Sequence, residues 1–233
     1  MSTKAIVLSS GGVDSTTCLG VAIDTVGKEN VVSLSFLYGQ KHDKELECAQ
    51  KIADYYEIAH SVIDLTKTGI MDNSNCSLLQ QSTEEIKHKS YAEQIAEDGE
   101  GMVSTYVPFR NGLFLASAAA YAMATFPEDE VYIYLGAHAD DAAGEAYADC
   151  SPKFANAMEE AISVGTYGKV HVSRPFIDKN KAGVISVGLK LGVPYELTWS
   201  CYEGGDKPCG TCGTCIDRAA AFAANGVEDP ALR

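Results

Sequence analysis

Ser10, Gly11, Gly12, Val13, Asp14 and Ser15 read S-G-G-x-D-S and directly follow the apolar run Ala5 to Leu8. Each residue type has a use beside an anion. Glycines let the backbone approach closely and expose its N–H groups. Ser15, Thr16 and the free N–H groups of a helix start add donors where the helix dipole is positive. Asp14 is the odd member, because a carboxylate there repels phosphate. It makes sense as a helix cap or as a group acting through Mg2+. The spacing fits neither the P-loop G-x-x-x-x-G-K-[ST] nor the dinucleotide G-x-G-x-x-G, and no lysine follows the glycines.

A second constellation lies near the other end. Cys201, Cys209, Cys212 and Cys215 form two overlapping C-x-x-C pairs with one cysteine upstream. Four thiolates suit a tetrahedral structural Zn2+, and the glycines between them allow tight knuckles. An iron–sulfur cluster also takes four cysteines, whereas a redox pair needs two. Cys18, Cys48 and Cys76 read as small apolar residues, and Cys150 follows a loop of interest.

Other polar residues fall at candidate ligand positions. Arg110 in "STYVPFRN" stands at a helix start, where its charge opposes the dipole, so it has an anionic partner or a surface salt bridge. Lys41 and His42 follow the second apolar run, in a site loop or a solvated turn. Asp140 and Asp141 in "GAHADD" could bind Mg2+ or an amino group of a base. His60, His88 and His171 read as structural. His138 stays open because of its place in that loop.

These groups need a scaffold, and the pattern supplies one. Strand-like runs ("KAIVL", "VVSLSFL", "HSVIDL", "EVYIYLG", "KVHVS") alternate with helical spacing over Asp14 to Val26, Asp43 to Ile58, Asn111 to Phe126, Pro152 to Val164 and Lys179 to Leu191. Thr66 to Ser104 reads as a long excursion with a short helix near Tyr91 to Glu97, and Ile216 to Ala224 as a last helix. Alternation of this kind predicts an α/β fold, a parallel sheet with helices on both faces. Ligands in such sheets sit outside the C-terminal strand ends, where "SSGGVDS", "YGQKH" and "GAHADD" all fall. The expected division is an α/β domain over residues 1–199 and a four-cysteine segment over 200–233 packed on the same domain.

The chain has 233 residues, 46% of them hydrophobic, and carries 18 Lys and Arg against 32 Asp and Glu, a formal net charge of −14. That charge argues against generic binding to nucleic acid, which needs a basic face. The first residues lack a long apolar run, so no signal peptide is expected. The longest apolar stretch, Leu113 to Phe126, is too short to span a bilayer. The default location is the cytoplasm, where cysteines are thiols or metal ligands.

S-G-G-x-D-S after a first strand resembles the PP-loop of the ATP pyrophosphatase superfamily. In order, that loop, "YGQKH", "STYVPFRN", "GAHADDAAGEAYADC" and "TWSCY…CGTCGTC" resemble the 7-cyano-7-deazaguanine synthase family, from Ser9 to Arg218. The resemblance implies a Rossmann-like, adenine nucleotide alpha hydrolase-like sheet. It implies a ligase of queuosine precursor synthesis that uses ATP, Mg2+ and ammonia. ATP would activate the carboxylate of 7-carboxy-7-deazaguanine, ammonia would give the amide, and a second activation would give the nitrile. Ser9, Ser10, Gly11, Gly12, Val13, Asp14, Ser15, Thr16, Thr17, Cys18 and Leu19 would hold ATP, with Asp14 and Ser15 also catalytic. Cys201, Cys209, Cys212 and Cys215 would hold Zn2+. Arg110 and Asp141 would meet the carboxylate and the base edge, and the protein would be a homodimer. Three features differ from the family pattern and bear on the pocket's shape. Phe109 stands where glycine is usual in V-P-G-R-N, Ala148 stands where Y-P-D-C is usual, and the "GAHADD" loop is slightly longer.

The alternatives are another PP-loop enzyme, a zinc-stabilised nucleotide-binding module, or a relative that attaches a deazaguanine to a protein. A tRNA thiolase would show a basic face. An amidotransferase needs a glutaminase domain, for which there is no room here.

Overall fold

The computed structural model describes residues 2–98 and 101–232. Five strands form one parallel sheet in the order β3-β2-β1-β4-β5: β1 Thr3–Leu8, β2 Val31–Leu37, β3 Ala59–Asp64, β4 Glu130–Tyr134 and β5 Val170–Ser173. The chain first builds outward from β1 to β3. It then returns to the other side of β1 with β4. The switch point therefore lies between the C-terminal ends of β1 and β4, where crevices open in such sheets.

The helices are α1 Val13–Val26, α2 Lys44–Tyr56, α3 Tyr91–Asp98, α4 Arg110–Thr125, α5 Pro152–Gly165, α6 Lys181–Leu191 and α7 Gly213–Ala224. They start and stop within a few residues of the boundaries that periodicity predicts. Both sheet faces are covered, as strands apolar on both sides require. Ile6, Leu34, Ile133 and Val172 pack with Leu115, Ala118 and Ala122 of α4 and Ile162 of α5. Ala5 and Val7, on the opposite pleat, pack with Cys18, Leu19 and Ala22 of α1, Ile52 of α2 and Val184 of α6. Gly192 closes α6 in the left-handed region (φ 67°), as expected of a C-terminal glycine.

The excursion after β3 folds back over the sheet's edge. Leu79 bridges to Gln40, the N–H of Lys41 donates to the Leu78 carbonyl, and Met71, Cys76 and Leu79 are buried in the core. Local periodicity does not show this, because the segment takes its order from contacts with the loop after β2. Its far end meets the cysteine segment, where His88 lies 2.7 Å from the Thr211 hydroxyl and 3.0 Å from the Glu203 carboxylate.

Beyond residue 200, α7 packs on α6 through Phe222 and Ala221, which join Val13, Ile185 and Tyr195. A buried bidentate ion pair fastens the same region. Arg218 Nε donates to Asp229 Oδ2 at 2.6 Å and Nη2 to Oδ1 at 2.8 Å, while Nη2 also reaches the Tyr195 carbonyl. No helix among the described residues is long and apolar enough to cross a membrane.

Candidate functional site

The loop after β1 starts with Ser9, whose N–H bonds the Leu34 carbonyl of β2 and whose own carbonyl accepts from Ser35 Oγ. Gly11 is in the left-handed region (φ 77°). A side chain there would strike the backbone of α2 at Glu45 and Ala49, so only glycine fits. Gly12 caps α1 through its backbone alone. Its carbonyl accepts from the hydroxyls of Ser15 and Thr16, and Ser15 Oγ also accepts from the Ser10 N–H. The loop is thus held in shape by its own hydroxyls, next to the positive end of α1.

β4 delivers the second loop. Gly136 runs so close to α1 that a Cβ would lie 3.1 Å from the Asp14 backbone. The two loops bound a cavity of about 260 Å3 at the switch point. Ser9, Ser10, Gly12, Val13, Asp14 and Ser15 line it, and so do Arg110 and Asp141. Gly11 supplies backbone curvature. Thr16, Thr17, Cys18 and Leu19 do not reach the cavity. Thr17 donates to the Val13 carbonyl and pairs with the Tyr195 hydroxyl, while Cys18 and Leu19 are buried against the sheet. Four of the eleven positions expected at the nucleotide therefore hold the helix in place instead. The helical period explains this, since it turns the face away from the loop after one turn.

The polar groups gather at two ends. At one end, Arg110 Nη1 reaches the Tyr38 hydroxyl at 3.4 Å, with Glu45 and Asp149 close by. Burial pushes the Glu45 carboxyl up to about 7 against the pull of Arg110. Burial likewise raises the Asp149 carboxyl, although it accepts from the Asn111 N–H at 2.9 Å. At the other end, Lys181 Nζ donates to Asp14 Oδ2 at 2.8 Å. His138 Nε2 lies 3.7 Å from Asp14 Oδ1 and 3.5 Å from Asp141 Oδ1. Burial alone would raise the Asp14 carboxyl, but Lys181 and His138 outweigh it and hold it below the usual range. Asp141, with a weaker share of those cations and with Asp14 beside it, is raised by burial.

Asp14 is not a helix cap. It stands inside the first turn, and its partner is the Lys181 ammonium. Sequence reading missed Lys181 and Glu45. Lys181 lies 167 residues downstream of Asp14, and nothing local marks it. Glu45 sits in an amphipathic helix whose polar residues look like a solvent face.

Phe109 and Ala148 do not line the cavity, so they do not shape it directly, contrary to the expectation from the family pattern. Phe109 caps α4 in the left-handed region (φ 52°, ψ 29°), which explains why glycine suits that position. Its ring lies over Gly112 and meets Phe154 edge-on at 5.7 Å.

The cysteine segment forms one wall. Trp199, Ser200, Tyr202 and Thr214 line the cavity. The Trp199 N–H donates to the Gly11 carbonyl at 2.9 Å, and its indole N–H donates to the Cys201 carbonyl at 2.7 Å. A Cβ on Gly204 would lie 2.5 Å from the His42 ring, so the segment rests on the loop after β2. The sulfur atoms of Cys201, Cys209, Cys212 and Cys215 all lie within 4.8 Å of one another, and none is in a disulfide. A tetrahedral zinc–thiolate centre with bonds of about 2.3 Å needs sulfurs roughly 3.8 Å apart, so the group fits Zn2+. Backbone N–H groups of Glu203, Cys209 and Cys212 point at the sulfurs of Cys201 and Cys209 at 3.3 to 3.4 Å, which suits thiolates. Among the described residues this is the one group of three or more such ligands close enough to share an ion.

A parallel sheet with a glycine loop at its switch point, walled by a four-cysteine segment, defines an α/β protein with an anion-suited cleft and a cysteine group that fits a structural metal. The chain belongs to the family described as queuosine biosynthesis protein QueC, whose model matches residues 4–226. Its relatives include a 7-cyano-7-deazaguanine synthase of Archaeoglobus fulgidus, 42% identical over 98% of this chain and 90% of that protein. Synthases of Caldicellulosiruptor saccharolyticus (40%; 97% and 94%) and Oceanobacillus iheyensis (41%; 97% and 96%) match over similar spans.

Proposed function

We propose that the chain is an ATP-dependent ligase that converts 7-carboxy-7-deazaguanine and ammonia into 7-cyano-7-deazaguanine. The observation that carries this reading is the cavity itself. It joins the glycine loop, suited to phosphates, with a half-buried Arg110 suited to a carboxylate, in a chain about 40% identical to synthases of that name over nearly its whole length.

Ser9 to Ser15 hold the triphosphate through loop and helix N–H groups and hydroxyls. Arg110 holds the substrate carboxylate against the α-phosphate. A carboxylate oxygen attacks that phosphorus, and the bond to the bridging oxygen breaks with its electron pair leaving on pyrophosphate. Ammonia displaces AMP to give the amide. The amide oxygen is activated in the same way and lost, giving the nitrile. Loss of two N–H protons in that last stage needs a base, and Glu45 is the cavity carboxylate held near neutrality. Asp141 faces the base or the Mg2+ that accompanies the triphosphate, since Mg2+ is usually bound through phosphates and one or two carboxylates. Zn2+ bound by Cys201, Cys209, Cys212 and Cys215 leaves no open position for substrate, so its contribution is to shape the wall.

Residues 1–199 then form the nucleotide unit, and 200–233 its metal-held wall. A cytoplasmic homodimer, with no nucleic acid or membrane partner, belongs to the same proposal, and light scattering reads the dimer. The decisive assay supplies protein, ATP, Mg2+, ammonium and 7-carboxy-7-deazaguanine, with Ser15→Ala as control, and reads the nitrile by mass spectrometry. Nitrile from the wild type and little from the variant supports the reading. No ATP consumption by folded, zinc-loaded protein overturns it.

A further inference from the structure

Arg110 and Glu45 line the same end of the cleft without forming an ion pair. Arg110 opens α4, Glu45 lies in the first turn of α2, and both are half-buried in the cavity wall. Among the described residues the Arg110 guanidinium has one hydrogen-bond partner, the Tyr38 hydroxyl at 3.4 Å, so most of its five donors are open. The Glu45 carboxylate accepts no hydrogen bond there, although the charge of Arg110 acts on it. Asp149, the other carboxylate near Arg110, is committed elsewhere: it accepts the Asn111 N–H at 2.9 Å and does not line the cavity. The Tyr38 ring meets Phe114 edge-on, Phe114 stacks on Phe36 at 4.1 Å, and all three line this end. An open guanidinium and an unbonded carboxylate, set among aromatic rings, mark a place for a ligand that bonds both.

The reaction brings two different groups to this place. The first substrate carries a carboxylate, and its amide is uncharged. A carboxylate held by Arg110 puts a second anion next to Glu45. Two carboxylates that share one cation in surroundings poor in water do not both stay ionised. The amide raises no such conflict, since it offers N–H donors that an ionised carboxylate accepts. The titratable groups around Glu45 are Arg110 from α4, Tyr38, Lys41 and His42 from the loop after β2, Cys48 one turn along α2, and Tyr202 from the cysteine segment. Arg110 is the charge that pulls on its carboxyl, and burial outweighs that pull, so the proton is held up to about 7. The two protonation states are thus nearly balanced at neutral pH, and a bound anion tips the balance.

We propose that Glu45 lets one cleft take both the acid and the amide: protonated, it donates a hydrogen bond to the substrate carboxylate held by Arg110, and ionised, it accepts an N–H of the amide. Binding of the acid therefore draws one proton from solvent onto Glu45. Once ammonia has displaced AMP the substrate anion is gone, and that proton returns to solvent. Glu45 is then already in the state that can take an N–H proton as the nitrile forms. One residue changes its protonation, and no second site is needed for the second step. This inference rests on the acid-and-amide reading of the cleft given above.

The test counts protons. Binding of 7-carboxy-7-deazaguanine and of its amide is measured by calorimetry between pH 6 and pH 8.5, with Mg2+ and α,β-methylene ATP, which fills the nucleotide site and cannot release pyrophosphate. Each titration is run in phosphate and in Tris, whose different ionisation heats report the protons exchanged. At pH 8 the acid should take up about one proton and the amide none. Acid affinity should weaken about tenfold per pH unit once Glu45 is ionised in the free protein, whereas amide affinity should not weaken. Glu45→Gln, which keeps a donor and cannot titrate, should hold the acid within about threefold across the range. The proton count on the wild type needs no variant, so it stands even if Glu45→Gln does not fold. Absence of proton uptake with the acid overturns the inference, as does a Glu45→Gln slope equal to that of the wild type. If the wild type still binds both ligands in either case, the reading of the cleft survives. A wild type that binds neither acid nor amide at any pH overturns both.

Discussion

The backbone N–H of Trp199 donates to the carbonyl of Gly11, 2.9 Å away, so the four-cysteine segment is bonded to the glycine loop. The Trp199 indole reaches on to the carbonyl of Cys201, the first cysteine of the four. The cysteine group and the cleft are therefore one mechanical unit.

Removing the metal is expected to damage both. Cys212→Ser, or chelation of the wild type, should lower stability by about 3 kcal/mol or more, a fall in Tm of about 6–12 °C for a chain of this size. Affinity for ATP should drop along with it. Metal analysis, a melting curve and an ATP titration check this. ATP affinity that survives loss of the metal in folded protein would separate the two.

The Arg218–Asp229 pair joins α7 to residues 195–200 behind the cleft. Both side chains are nearly inaccessible. Asp229→Ala leaves a buried guanidinium uncompensated and should cost about 3–5 kcal/mol in urea unfolding. A cost below about 1 kcal/mol would show that water enters there.

Glu45 sets a pH dependence. The folded protein holds its proton up to about 7, against an ordinary value of 4.5. Between those values the folded state binds more protons than the unfolded one, so this group makes stability fall as pH rises through that window. Glu45→Gln should therefore be more stable than the wild type above pH 7, by an amount on the order of 2 kcal/mol after solvent screening. The two should converge below pH 4.5. Urea titrations at pH 4.5, 6 and 8 read this, and a constant difference across them would remove Glu45 as the cause.

Phe109 caps α4 with a backbone that favours glycine. Phe109→Gly and Phe109→Ala lose the same ring contacts, but only alanine retains the left-handed strain. The glycine variant should be more stable than the alanine one by about 1 kcal/mol, or about 2–4 °C in Tm. Equal melting temperatures would mean that the loop before α4 relaxes instead.

The strands and the seven helices among the described residues were readable because they carry an apolar period along their own length, as Val31–Leu37 and Lys44–Tyr56 do. The glycine loop and the cysteines were readable because their chemistry lies in close spacing. The rest depends on contacts between distant residues. Asp14 gains its meaning from Lys181, which joins it only after the sheet and α6 have formed. Thr16 to Leu19 looked like more of the loop, and the turn of α1 carries them away from the cleft. Residues 66–90 have no period because their order comes from the loop after β2.

The cleft's floor is drawn from residues 9–15 and its last wall from residues 199–214. A ribosome therefore delivers the floor well before the last wall. While the middle of the chain is being made, the glycine loop exists without its strap, and a groove suited to phosphates stands open on a nascent chain. The groove is finished only when the knuckle from Cys209 to Cys215 has emerged and folded against it. On the proposed Zn2+ reading of the four cysteines, metal supply governs when this protein becomes able to bind its ligand, as well as how long it stays folded.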